Sequence, residues 1–282
     1  KPEESSDLID EILKLYPNDP TAMRLKADIL GDTDSVAAVK IYKQAQDIVM
    51  KERKKPDVAM NWNASLHFLR TRELKKGWDY WELGFDKAVG TMGRNLIPQV
   101  KVLPRADHLD KFDPDKWTLI CVEQGIGDQI LFLSVMEDAI EEWNNLFFVC
   151  EARLKPIIKR SFPKLQVGLP GLLESWSKNS LAKNGFIPLG SLPGRYRPTV
   201  ESFTNYKKPF LQVNGDLYVQ YQKQLRDIAK GRPIVGISWK GGYWESQKKA
   251  KALGIENWLP IFERGALCVN LQYGDTSADE NL

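Results

Sequence analysis

Thr118-Leu-Ile-Cys-Val-Glu-Gln-Gly-Ile-Gly-Asp-Gln-Ile-Leu-Phe-Leu133 decides the fold class. Leu119 to Val122 is a short apolar run bounded by polar residues, the pattern of a buried strand. Gly125 and Gly127 permit a tight turn that a Cβ would crowd. Ile130, Leu131, Val135, Met136 and Ala139 then recur as one side of a helix. Strand, glycine turn and helix open an α/β domain, whose ligand mouth lies at the carboxyl end of the strand. Asp128 sits in that mouth.

Two common versions of this turn are tested by residue type; the first is broken but leaves a nicotinamide enzyme open, and the second is absent. A dinucleotide fingerprint needs a third glycine for close helix–strand packing, and Ile130 stands there. Glu151, ending the next apolar run, could still touch a ribose, which keeps a nicotinamide enzyme as an alternative. A P-loop needs Gly-Lys-Ser/Thr after its glycines, and none is present. A purely structural turn stays open, with Asp128 favourable in the first helical turn.

Bulk composition narrows the class. The 282 residues suffice for two modest domains, and 43% hydrophobic with 27% charged residues is ordinary for a globular protein. Lys+Arg 40 against Asp+Glu 37 gives no bulk attraction to nucleic acid or to a membrane surface. No apolar run reaches the ~20 residues of a membrane span. Cys121, Cys150 and Cys268 each lie in an apolar run and read as buried, reduced thiols, which points to a cytoplasmic protein. His67 and His108 lie in no metal-ligand spacing, so no metal site is expected. A chain that starts at Lys1 rather than Met leads us to expect residues upstream.

Residues 1–90 carry only helical periodicity. Leu8, Ile12 and Leu15 mark a first helix, and Ala22, Leu25 and Ile29 a second. Val36, Val39, Ala45 and Ile48 mark a third. Trp62, Leu66 and Leu69 give a fourth, and Trp78, Trp81 and Phe85 a fifth. Asp19-Pro-Thr-Ala-Met23 echoes Pro56-Asp-Val-Ala-Met60 at an offset of 37 residues, Met23 to Met60. That period suits helix–turn–helix repeats, whose tetratricopeptide form runs near ~34. Residues 91–117, punctuated by Gly93, Pro98, Pro104 and Pro114, read as a linker or extended arm. Residues 118–230 alternate strand and helix as a first Rossmann-like domain. Residues 231–282 begin a second with Pro233-Ile-Val-Gly-Ile-Ser-Trp239 and the basic loop from Lys240. One strand–helix–strand unit is too small for a core of its own, so this domain reads as incomplete.

Three segments resemble a family. Glu123-Gln-Gly-Ile-Gly-Asp-Gln-Ile-Leu-Phe132, Val235-Gly-Ile-Ser-Trp-Lys-Gly241 and Asn270-Leu-Gln-Tyr-Gly-Asp275 resemble landmarks of bacterial tetratricopeptide-repeat glycosyltransferase-like proteins. Trp78-Asp-Tyr-Trp-Glu-Leu-Gly-Phe85 resembles their last helix before the transferase part. These proteins are similar to heptosyltransferases and, more distantly, to O-linked N-acetylglucosamine transferases. The resemblance spans about residues 55–280. It implies a GT-B architecture of two Rossmann-like domains, a nucleotide-sugar donor substrate and no metal or other cofactor.

By the same resemblance, Asp128 matches the general base. Gln124, Gly125 and Gly127 form its turn and are expected to contact substrate or donor. Lys251 matches the cation on the donor diphosphate, with Lys240, Gly241, Lys248 and Lys249 close to it in sequence. Gln129 stands where relatives often carry a small hydroxyl residue. The family's later donor motif would lie beyond Leu282. Sugar transfer to a hydroxyl needs a base near the acceptor oxygen and positive groups on the leaving diphosphate, which these residue types supply. The expected function is transfer of a sugar to a protein or glycan acceptor presented by the helical repeats. The alternative is a non-catalytic scaffold whose repeats bind a partner and whose transferase part is degenerate.

Overall fold

The computed structural model describes residues 2–90, 93–96, 100–101, 103–108, 113, 115–172, 183–203, 209–241 and 253–277. The chain divides into two compact units, 1–212 and 213–282. The first opens with five helices: α1 (Pro2–Leu15), α2 (Pro20–Leu30), α3 (Ser35–Arg53), α4 (Val58–Arg70) and α5 (Leu74–Glu82). Their boundaries are chemical. Asp19, Asp34 and Asp57 each accept a backbone N–H three residues on, the N-cap bond that starts α2, α3 and α4. Pro20 occupies the first turn of α2, where no N–H is required. Met23, Ala27, Ala38, Tyr42, Ala45, Met60, Ala64 and Phe68 form one core, in which Ala27 and Ala64 are fully buried. The two alanines are 37 residues apart, so the buried face follows the spacing of the sequence echo.

The same unit contains a four-stranded sheet. Its strands are β1 (Trp117–Cys121), β2 (Leu146–Val149), β3 (Gln166–Gly168) and β4 (Lys183–Pro188). All neighbours are parallel, in the order β3-β2-β1-β4. β1 is therefore central, as its unbroken apolar run requires. Side chains alternate by strand period. Ile120, Phe148, Val167 and Ile187 enter a core that includes residues of α6 (Ile126–Phe132), α7 (Met136–Glu142), α8 (Lys155–Ser161) and α9 (Leu192–Tyr196). Leu119, Cys121, Val149 and Phe186 face the other way, against Leu96, Val100 and Leu103. The stretch between helices and sheet thus contributes a layer of its own, with Val100 fully buried.

That layer also touches the sheet edge. Arg105 bridges Phe186, whose N–H donates to the Pro104 carbonyl at 3.0 Å. Gly185 makes the approach possible: its φ is +121°, and a Cβ there would lie 2.2 Å from the Pro104 oxygen. The second unit holds α10 (Gly215–Ala229), β5 (Ile234–Ile237), α11 (Leu259–Phe262) and β6 (Leu267–Asn270), with β5 and β6 parallel. Among its described residues the buried hydrophobics are Ala229, Ile237 and Trp239.

Two expectations need correction. Ile130 and Leu131 do not face the core; Leu131 is 63% exposed. A 3-10 turn at Leu133–Val135 separates α6 from α7, so the inward positions shift to Gln129, Phe132, Leu133 and Met136. Cys268 is only half-buried, unlike Cys121 and Cys150. Burial pushes the Cys150 thiol up to about 11 and raises that of Cys121 as well, so neither is a ready nucleophile.

Gly185→Ala is expected to destabilise the protein by about 1–3 kcal/mol, the scale of an enforced unfavourable backbone conformation. Gly171, where a Cβ meets nothing within 4 Å, is the control. Its replacement by Ala should stay within about 0.5 kcal/mol. Urea unfolding of both variants measures the difference, and equal losses would refute the close approach.

Candidate functional site

In open α/β sheets the ligand crevice lies beyond the carboxyl ends of the strands, where strand order reverses. Here that point falls between β1 and β4. After Cys121 the chain runs through Val122 and Glu123 into the Gln124–Gly125 turn; after Pro188 it runs through Leu189 and Gly190 to Ser191. Glu123 Oε1 joins the two ends by accepting the Gly190 N–H at 3.0 Å. A Cβ on Gly190 would lie 2.5 Å from that oxygen, so only glycine fits.

A buried charge network fills the base of this crevice. Arg94 is wholly enclosed and reaches Glu123 at 2.5 Å, Glu82 at 2.9 Å and the Ser191 hydroxyl at 3.0 Å. Arg105 pairs with Glu82 at 2.9 Å and with Asp107 at 2.6 Å, and also donates to Ser191 at 3.2 Å. The Arg94 guanidinium lies 4.1 Å from the centre of the Phe85 ring and 5.1 Å from that of Trp81, within cation–π range. Trp81 Nε1–H donates to the Gly190 carbonyl at 2.9 Å. Burial pushes the Glu123 carboxyl above its ordinary value; the Arg94 charge and the Gly190 N–H act against that rise. These residues were not singled out by sequence reasoning as a site, although Glu123 opens the quoted motif.

The turn itself faces outward. Gly125 is the N-cap of α6, with no side-chain cap, and Asp128 lies in the first turn. Asp128 is exposed; a Cβ on Gly125 would lie 3.5 Å from its Oδ2, an ordinary contact, and one on Gly127 would meet nothing within 4 Å, so the expected crowding of this turn is not what places glycine there. Among the described residues Asp128 makes no hydrogen bond or ion pair. Gln129 turns inward: its amide donates to the Gln124 carbonyl at 3.2 Å, and its Oε1 accepts the Glu151 N–H at 3.4 Å. Glu151 caps its own loop and pairs with Arg153 at 2.9 Å. It is committed to local structure instead of being directed at a ribose.

In the second unit, the Gln272 side-chain oxygen accepts from Ser238 Oγ, Trp239 N–H and Lys240 N–H, at 3.1, 3.0 and 2.9 Å. Gln272 therefore sets the path of the chain leaving β5 toward Gly241. A Cβ on Gly241 meets nothing within 4 Å, so this backbone is open to an approaching group. Lys248, Lys249 and Lys251 lie outside the described residues. Within the described residues, no group of three His, Cys, Asp or Glu is gathered to hold a metal ion, and no helix is long and apolar enough to cross a membrane.

Comparison with known proteins finds Protein FlbA of Caulobacter vibrioides (strain ATCC 19089 / CIP 103742 / CB 15), 25% identical over 291 aligned positions, covering 94% of this chain and 45% of that protein. The chain spans less than half the length of that relative. No family model matches, and no solved structure matches.

Arg94→Met is expected to lower the unfolding free energy by about 3–5 kcal/mol, because it leaves buried carboxylate uncompensated. Adding Glu123→Leu should recover part of the loss. Chemical denaturation of both single variants and the double variant measures the coupling. Strictly additive losses would mean that the two groups do not act as a pair.

Proposed function

We propose that this chain is part of a metal-independent glycosyltransferase with helical, tetratricopeptide-like repeats and a GT-B-like transferase region. The observation that carries this reading is the state of Asp128. Glu123, Gln129 and Glu151 are committed to the chain's own groups around the turn, whereas Asp128 stands exposed and without a partner among the described residues. A carboxylate left exposed near the carboxyl end of a central parallel strand supports a role in taking a proton from a bound hydroxyl. In the proposed reaction that proton passes to Asp128. The acceptor oxygen bonds to the anomeric carbon of the donor sugar, and the bond to the nucleoside diphosphate breaks. The leaving diphosphate would need cationic side chains in place of a metal, the role that the family resemblance gives to Lys251 and the lysines near it in sequence. The helical repeats would present the protein or glycan acceptor.

A scaffold role is favoured by a different observation. Leu8 and Leu15 on α1 are 59% and 76% exposed and Val36 on α3 is 59% exposed, apolar side chains of the helical part that a protein partner could cover.

Asp128→Asn decides between them. Asn keeps the shape and helix-start preference of Asp but has no basicity. In the full-length protein, sugar transfer should fall by ~10²–10⁴ with donor binding nearly unchanged. Near-normal turnover would remove Asp128 from the mechanism. Chelator treatment should leave transfer unaltered; a loss restored by a divalent ion would overturn the metal-independent chemistry.

A further inference from the structure

A cavity of about 230 Å³ opens beside the charge network, at the end of the sheet where β4 terminates. Its walls include Trp78, Asp79, Glu82, Ser191, Gly194 and Arg195. At a share of about 30 Å³ per water, it holds roughly eight waters, the scale of one small ring. Trp78 is a fixed wall, because its Nε1–H is tied to the Arg197 carbonyl at 3.0 Å.

Ser191 selects the ligand chemistry. It is 9% exposed, and its oxygen accepts from both Arg94 and Arg105. Those two bonds use the two lone pairs of the hydroxyl. Its proton has no acceptor among the described residues and is left to donate into the cavity. Glu82 offers the complement: each of its oxygens takes one guanidinium N–H and keeps a further lone pair. Asp79 adds a second carboxylate at the rim, 61% exposed.

A ligand here must therefore accept from Ser191 and donate to carboxylate. A hydroxyl group does both. An ammonium group cannot accept the serine proton. A phosphate or carboxylate would face Asp79, Glu82 and Asp107 across the cavity; the cations nearby are already spent, Lys75 on Asp79, Arg94 and Arg105 on Glu82, and Arg195 on Glu142. The carboxylates are not grouped to hold a metal ion.

We propose that this cavity is a subsite for one ring of a neutral sugar, with the flat Trp78 side chain against its C–H face and Ser191 and Glu82 on its hydroxyls. Its use as an acceptor subsite rests on the transferase reading above; sugar binding itself does not. On that reading the acceptor is a glycan, held at the same end of the sheet as Asp128.

The test is titration of the full chain with methyl hexosides of gluco, galacto and manno configuration, with methylamine and inorganic phosphate in parallel. Binding is followed by tryptophan fluorescence and by protein NMR. At least one hexoside should bind saturably with Kd in the millimolar range, up to about 50 mM. Ser191→Ala should weaken it by about three- to tenfold, one hydrogen bond's worth. Because Ser191 also touches the charge network, Gly194→Val is the second variant. A Cβ there lies 3.1 Å from Trp78 Cβ, so a larger side chain presses on the Trp78 wall and narrows the cavity without contacting Arg94 or Arg105; binding should be lost while circular dichroism shows the chain still folded at the titration temperature. Binding of methylamine or phosphate alone, absence of hexoside binding, or hexoside binding that neither variant alters would each overturn the assignment. No donor is present in the titration, so hexoside binding without any transfer activity would remove only the acceptor role.

Discussion

The guanidinium of Arg94 is the interaction on which the first unit depends. It comes from the layer between helices and sheet, pairs with Glu82 at the end of α5, and pairs with Glu123 just past β1. One side chain thus ties three successive parts of the chain together. Its surroundings support the charge on several sides: two aromatic rings, two carboxylates and the Ser191 oxygen. Glu123 returns the constraint to the sheet by binding the Gly190 N–H. The loops after β1 and β4 are held together where an open sheet would otherwise part.

This arrangement explains why the mouth of the fold has two characters. Its base is closed by the chain's own ions, so a ligand has no access to Glu123. Its outer rim remains polar and open, with Asp128 projecting from α6. Gln129 separates the two layers, since its amide spans from the Gln124 carbonyl to the Glu151 N–H. A small hydroxyl residue at 129 could not reach both backbone groups. Gln129 therefore acts on the geometry of the turn instead of on a ligand.

Much of the fold is legible in the sequence because it rests on periodic burial. The helical spacing of Met23, Ala27, Met60 and Ala64, and the apolar run at Leu119–Val122, are local patterns with local causes. The charge network leaves no such trace. Glu82, Arg94, Arg105, Glu123 and Ser191 are spread over more than a hundred positions, and pairing across that separation has no period. Charged residues are ordinarily read as surface, and Gly93, Pro98 and Pro104 make the intervening stretch read as a linker. The side-chain directions after Gly127 were obscured for another reason. Apolar spacing alone implies a continuous helix, whereas the 3-10 turn at Leu133–Val135 rotates the inward face and leaves Ile130 and Leu131 outside. Gln272 was quoted within a motif but had no periodic or charge signal, and only the three groups it collects at the end of β5 reveal its role.

A buried ion network is a weak source of net stability, because desolvating the charges offsets most of their attraction. Its stronger effect is on geometry. An apolar contact between α5 and the β4 loop could slide with little change in energy, whereas displacement of Arg94 would leave enclosed carboxylate oxygen without its cation. The network therefore penalises small relative shifts of helices and sheet far more than area burial does. On the proposed chemistry that is the property required. A base accelerates transfer only when the acceptor hydroxyl is held in a near-attack geometry, and misplacement by about 1 Å can cost ~10²-fold in rate. If the repeats present the acceptor and Asp128 takes its proton, the two must keep a fixed separation. The residues that enforce it are the ones enclosed between them: Arg94, Glu82 and Glu123.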